Sequence, residues 1–214
     1  MLEGRKAQFI DELVKQGATK SKAEKEVELA VDRLIYYAGW CDKYTQVFSS
    51  VNPVASSHFN FSTPEPMGVI AQIAPQDSGL LGLVSVIVPA IAGGNTVVAL
   101  ASEEKPLCAV SFAEVINTSD VPGGVVNILT GKVGELYTHM STHMDVNALV
   151  YCDNDSEIVA EIQKNATQNF KRTFFWNKDW FTEEGESPYF ILDLQEIKTT
   201  WHPIENIAPA GGGY

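Results

Sequence analysis

The chain has 214 residues, 45% of them hydrophobic, enough to bury one full core and a small appended element. Its formal net charge of -12 argues against nucleic acid and anionic membrane surfaces as partners and favours solubility. The three unclustered cysteines, Cys41, Cys108 and Cys152, suit a reducing compartment without a disulfide framework, so a cytoplasmic location is expected.

The chain opens with Met1-Leu2-Glu3-Gly4-Arg5-Lys6, a polar start that leads into a helix and does not read as a signal peptide. Over residues 5–16, Phe9, Ile10, Leu13 and Val14 recur at helical spacing, and Gly17 stops the helix. Ser21 is expected to open a longer helix whose apolar stripe is Ala23, Val27, Ala30, Val31, Leu34 and Tyr37. Its solvated face is expected to be Lys22, Glu24, Lys25, Glu26 and Glu28. Between Ser57 and Thr63 the run His-Phe-Asn-Phe-Ser alternates, as a half-buried strand requires.

Met67–Ala74 and Asn95–Leu100 are short, branched and apolar enough to be strands covered on both faces. Leu80–Ala92 between them reads as a buried helix closed by Gly93 and Gly94; it contains Pro89 and is shorter than the ~20 residues of a membrane span. An amphipathic helix and a third apolar run reaching Thr130 complete a βαβαβ unit, which implies a parallel sheet with right-handed crossovers.

Gly131 and Gly134 then mark a turn, a weak nucleotide signal on its own. Glu135, His139 and His143 would face one metal ion if their helix continued through Ser141 and Thr142; partly exposed helix-end histidines are the plainer reading, and no metal is expected. Phe174, Phe175, Trp176, Trp180 and Phe181 form an aromatic cluster. The C-terminal run alternates, with Leu192, Leu194, Glu196 and Lys198 on one side and Ile191, Asp193, Gln195, Ile197 and Thr199 on the other. Trp201 and Pro203 end it, and Ala210–Tyr214 reads as a frayed tail. The expected organisation is helices over 1–50, an α/β domain over 51–188 with flap strands at about 51–66, a C-terminal strand over 189–204 and a tail over 205–214.

Four blocks carry a resemblance. Pro66-Met67-Gly68-Val69-Ile70 with Pro75, Val88-Pro89-Ala90, Gly94-Asn95-Thr96-Val97-Val98, and Pro122-Gly123-Gly124-Val125-Val126-Asn127 with Thr130-Gly131 resemble the aldehyde dehydrogenase superfamily in order and spacing. Tyr36–Trp40 upstream, and His143–Val146 and Asn169–Arg172 downstream, are similar to the family as well. The resemblance implies a Rossmann-like parallel sheet with crossover helices plus a small β-flap used for oligomerisation. The family oxidises aldehydes with NAD(P) through a cysteine thiohemiacetal.

Most of that machinery has no match here. Where the family has Pro-Trp-Asn, with an asparagine at the oxyanion, this chain has Pro75-Gln76-Asp77, and an ionised Asp77 accepts rather than donates. The family's Lys-Pro-x-Glu run toward the adenine ribose becomes Leu100-Ala101-Ser102-Glu103, which keeps only the glutamate. Its Phe-Thr-Gly-Ser run before the pyrophosphate helix becomes Tyr151–Ser156, where Asp153 and Asp155 are expected to cap the helix and oppose a phosphate. The general-base glutamate falls near Trp176, and the domain that carries the nucleophilic cysteine is missing: the chain passes almost directly to Leu194–Trp201, which resembles the family's final strand. The segment that usually precedes the first helices also has no match, which implies a domain cut from a longer protein.

The expected function is therefore assembly: a module inactive in isolation, similar to the truncated second module of family-16 aldehyde dehydrogenases. It would pair with itself or a catalytic aldehyde dehydrogenase domain through Phe59, Phe61, Leu192, Leu194, Ile197 and Trp201. No cofactor is expected. The alternatives are a dinucleotide sensor that keeps Glu103 and Gly131 as remnants, and one half of a split oxidoreductase.

Overall fold

A computed structural model describes residues Met1–Ile204; the expected tail lies outside the described residues. Helix α1 (Lys6–Lys15) buries Phe9 and Leu13 and stops where Gly17 takes a φ of 93°, a left-handed conformation that costs glycine least. Helix α2 (Lys20–Ala38) begins just before the expected Ser21. Thr19 is its N-cap, its side chain accepting the Lys22 N–H at 3.3 Å. A short helix, α3 (Tyr44–Phe48), leads to strand β1 (Ser50–Asn52).

The βαβαβ unit is present and extended. Strands β3 (Val69–Ile73), β4 (Thr96–Leu100), β5 (Val126–Leu129), β6 (Ala148–Tyr151) and β7 (Arg172–Phe175) form a parallel sheet in the order β5-β4-β3-β6-β7. Helices α4 (Leu81–Ala92) and α5 (Leu107–Asn117), backed by α1 and α2, pack on one face with Ile70, Val97 and Ala148. Helices α6 (Val133–Thr142) and α7 (Ser156–Ala166) take the other face with Ala71, Ile73 and Leu149. Successive residues of β3 thus serve opposite cores, which is why its sequence is continuously apolar rather than alternating. The exception is Gln72, whose Nε2 donates to Val86 O of α4 at 2.6 Å. No described helix is long and apolar enough to cross a membrane.

A second, antiparallel sheet is the flap. Its strands β1, β2 (His58–Pro66) and β8 (Gln195–Pro203) lie in the order β1-β2-β8, with β8 on the outside. Two amides fix its root to the larger sheet: Asn95 Nδ2 donates to Leu194 O at 3.0 Å, and Gln195 Nε2 to Gly93 O at 3.0 Å. A Cβ on Gly93 would sit 2.3 Å from that Nε2, so any larger residue there would displace the Gln195 amide.

The C-terminal strand begins later than its alternation suggests. Residues Tyr189–Asp193 form a helical turn, α8, and Ile191 and Leu194 are buried in the core beside α4. Burial of these two side chains overrides the period-two pattern, because a strand there would turn one of them to solvent. The expected interface role of Leu194 is corrected: it is fully enclosed. Leu192, half-buried within that helical turn, is likewise not on a strand. Trp176 and Trp180 are also core residues, Trp176 packing on Phe190 with ring centroids 4.5 Å apart.

Candidate functional site

Strands β3 and β6 are neighbours, yet the chain reaches β6 only after passing through β4 and β5 on the other side. That reversal makes the carboxyl ends of these strands the place where an open α/β sheet forms a crevice. A crevice of ≈ 360 Å³ is present there, lined by Gln76, Glu103, Glu104, Val133, Tyr151, Asp153, Asp155 and Ile158. Four of these side chains are carboxylic acids and none is basic. The adjacent Asp153 and Asp155, added to burial of the ring, help push the Tyr151 phenol up to about 12, with burial the larger cause. Burial, then Asp153, raises the Cys152 thiol well above its ordinary value, so it stays protonated and unreactive.

Helix N-termini around a crevice normally offer free N–H groups to an anion. Here the chain's own side chains occupy them. Glu103 Oε2 accepts from Val133 N–H at 3.0 Å at the start of α6, and Asp155 Oδ1 accepts from Glu157 and Ile158 N–H at 2.9 and 3.2 Å at the start of α7. Gln16 Oε1 accepts from Leu107 N–H at 3.0 Å at the start of α5. At α4, Glu26 reaches across from α2: its Oε1 accepts from Ser78 Oγ at 2.8 Å, Leu80 N–H at 2.9 Å and Leu81 N–H at 3.3 Å. The loops are tied together as well, Glu103 N–H donating to Gln76 Oε1 at 2.8 Å and Lys105 Nζ donating to Asp77 O.

Several expectations change with these placements. Asp155 caps α7, whereas Asp153 Oδ1 accepts only from the next residue, Asn154, at 2.7 Å and caps nothing; one carboxylate suffices for the two amides within reach. Asp77 is exposed in the loop before α4 and does not line the crevice. Leu100 is enclosed with Ala71, Ile73 and Tyr151 under α6 and α7, and Trp176 is buried with its N–H donating to Tyr151 O. Gly131 makes room for Leu136, whose Cδ1 would lie 2.8 Å from an added Cβ. His143 has left α6, and its Nδ1 accepts from Asp145 N–H at 3.2 Å; among the described residues no three acidic, histidine or cysteine side chains are grouped to hold a metal.

Glu26 is the residue that sequence reasoning misplaced. Assigned to a solvated face, it is 2% exposed. The signal was its spacing: Ala23, Glu26, Ala30, Arg33 and Tyr37 recur at three and four residues, so Glu26 and Arg33 both fall on the buried stripe.

The flap offers a different kind of site. Ile204 N–H donates to Ser57 O at 3.0 Å, which fixes the alternation: the hydrogen-bonded pairs of β2 and β8 are Phe59–His202, Phe61–Thr200, Thr63–Lys198 and Glu65–Glu196. The intervening pairs His58–Pro203, Pro64–Ile197 and Pro66–Gln195 contain all the prolines of the two strands, consistent with this register. The N–H groups of Ile197, Thr199 and Trp201 therefore face away from β2 on the open side of β8, while Gln195, which also faces away, is buried at the root. The open side of β2 beyond β1 presents Pro64 and Pro66 instead, and β1 is three residues long and followed by Pro53. Phe59 and Phe61 share one face, ring centroids 5.6 Å apart, and Ile197 and Trp201 the other, with Trp201 edge-on to His58 at 5.8 Å.

Comparison with known proteins places these features. The profile described as "Aldehyde dehydrogenase family" matches residues 1–193. Aldehyde dehydrogenase of Davidiella tassiana is 32% identical over 188 residues, 87% of this chain and 36% of that protein. Aldehyde dehydrogenase, cytosolic 1, of Mus musculus is 34% identical over 149 residues, 69% of this chain and 29% of that protein. Among solved structures, PnpE from Pseudomonas sp. WBC-3 superposes with a TM-score of 0.76 at 26% identity, covering 81% of this chain and 35% of PnpE. PnpE in complex with nicotinamide adenine dinucleotide gives a TM-score of 0.75. The chain spans about a third of the length of the relatives it matches.

Proposed function

Because the chain belongs to the aldehyde dehydrogenase family, we propose that it is that family's cofactor-domain scaffold adapted to assembly, without catalysis of its own. The observation that carries this reading is the contrast in backbone groups. The crevice that would take a dinucleotide is acidic, with its helix ends capped from within, while β8 keeps a row of free donors and acceptors on an exposed strand. A diphosphate would have to displace Glu103 and Asp155 and then sit among Glu104 and Asp153, which like-charge repulsion opposes. An open strand edge gains main-chain pairing when another sheet edge meets it. The partner is another subunit of this family, a second copy or a catalytically complete one, and aldehyde oxidation belongs to the complete one.

Isothermal titration with NAD+ tests the first half, with no heat of binding expected at millimolar ligand. Light scattering of a mixture with a complete aldehyde dehydrogenase tests the second: a mixed species lost on Ile197→Pro is expected. Micromolar NAD+ binding would instead favour a dinucleotide sensor, the reading that the shared fold of the PnpE complex supports.

A further inference from the structure

We propose that the acidic crevice binds a small aliphatic diamine, one ammonium group held by the carboxylates that follow β4 and the other by those that follow β6, with Tyr151 Oη accepting from an ammonium N–H. This rests on the reading that the crevice is closed to a dinucleotide, and goes beyond it by naming the charge and shape of the ligand that the crevice admits.

Uncompensated charge is the first observation. Glu103, Glu104, Asp153 and Asp155 line the crevice, and among the described residues none of them is in a salt bridge. The lysines near them in sequence are committed elsewhere: Lys105 Nζ donates to Asp77 O, and Lys132 Nζ lies 3.4 Å from Glu135. The backbone contacts leave acceptors over, since Glu103 uses Oε2, Asp155 uses Oδ1 for both its amides, and Asp153 uses Oδ1. Tyr151 is the second, independent observation. It is 2% exposed, yet its Oη has no hydrogen-bond partner among the described residues and is not one of the polar atoms sealed from solvent, so its small exposure includes the hydroxyl at the crevice wall. A buried hydroxyl ordinarily has a partner, and a crevice ligand supplies one. Burial and the nearby Asp153 and Asp155 keep this phenol protonated and neutral, with lone pairs free to accept.

Four carboxylates refuse an anion. A divalent metal ion needs several oxygens gathered around one point at about 2.0–2.6 Å, and among the described residues no three acidic, histidine or cysteine side chains converge in that way. The carboxylates stand instead in two pairs. Glu103 and Glu104 follow β4, Asp153 and Asp155 follow β6, and β3 lies between, which sets the strand ends about 9–10 Å apart. Two ammonium groups joined by four or five methylenes lie about 6–7 Å apart in an extended chain. A charge-assisted hydrogen bond of about 2.8 Å at either end lets them bridge the pairs. Val133 and Ile158 offer the methylenes an apolar wall.

Isothermal titration of the whole chain with 1,4-diaminobutane at low ionic strength is expected to show one site per chain. Ethane-1,2-diamine is too short to span the pairs, and Nα-acetyl-lysine amide offers a single ammonium, as a partner protein's side chain would. Both should bind about tenfold more weakly or worse. Glu104→Gln combined with Asp153→Asn, on carboxylates that cap no helix, should weaken the diamine by about tenfold or more. Tyr151→Phe should weaken it about threefold or more at an unchanged thermal midpoint, because Oη has no partner within the described chain to lose. Absence of binding, equal affinity for the acetyl-lysine amide, displacement by magnesium chloride at matched ionic strength, or affinity unchanged in the double variant or in Tyr151→Phe each overturns the inference. If neither the diamine nor NAD+ binds, the assembly reading stands without it. If NAD+ displaces bound diamine, the diamine site holds and the reading of the crevice as closed to a dinucleotide falls.

Discussion

The crevice end of the parallel sheet and the outer edge of the flap face the same elementary problem, backbone N–H groups with no partner in the regular structure, and handle it in opposite ways. At the crevice, Glu26, Glu103, Asp155 and Gln16 each close a helix start. At the flap, the outward donors of Ile197, Thr199 and Trp201 in β8 have no described partner, while prolines close the edge of β2. Side chains are committed at the crevice and withheld along the outer edge of β8. The difference separates two kinds of vacancy that look alike in outline: helix starts already capped by the chain's own side chains, and a strand edge that no other described strand pairs.

The comparison breaks most visibly at Glu26. Glu26→Ala leaves Leu80 N–H, Leu81 N–H and Ser78 Oγ buried without their acceptor and should lower unfolding stability by about 3 kcal/mol in urea titration. Glu26→Gln, which keeps an acceptor, should cost less. Adjacent prolines in β8 sharpen the flap side. Lys198→Pro removes a donor that faces β2 and should cost about 2 kcal/mol or more, whereas Ile197→Pro, one residue away, should stay within about 1 kcal/mol. Equal losses would show that the two sides of the strand are not distinct.

Asp155→Ala removes the α7 cap and should cost about 1 kcal/mol, with no gain of NAD+ binding unless Glu103 and Asp153 are also neutralised. The smallest effect is in pH. The Tyr151 phenol is held up to about 12 in the folded chain against 10.0 for the free group, so the folded state binds its proton more tightly. Its contribution to stability is fully present below pH 10 and is lost as pH rises toward 12. Burial also raises the Tyr37 and Tyr36 phenols, so ultraviolet titration with and without Tyr151→Phe should show several late-ionising groups, one of which the substitution removes.

The sheet was legible because its strands and helices satisfy local and global demands at once. Val69–Ile73 and Thr96–Leu100 are apolar on both faces, and Gly17 and Gly93–Gly94 stand where helices stop. Two features resisted reading for physical reasons. Residues 189–194 alternate like a strand, but burying both Ile191 and Leu194 requires a helical turn, and local periodicity does not know what it will pack against. Glu26 looked solvated because its neighbours in sequence are charged, while its neighbours in space are the amides of α4, more than fifty positions away. At the candidate site, carboxylates could be placed near the crevice from the sequence, but which of them would cap a helix depended on loop geometry: Asp155 reaches two amides and Asp153 does not. The open edge of β8 was legible only as a strand; the side on which its donors lie follows from the register with β2.

The distance along the chain between the two long flap strands also sets a timetable. Strand β2 emerges from the ribosome early, and its partner β8 follows only after every strand of the parallel sheet has been made. At about 5–20 residues per second, that leaves β2 waiting on the order of ten seconds. During that interval Pro64 and Pro66 do a second job, since a strand with two missing donors is a poor template for a neighbouring nascent chain. The outer strand of the flap is thus its last part to be synthesised, and it pairs with β2 only once the parallel sheet that precedes it has had time to fold.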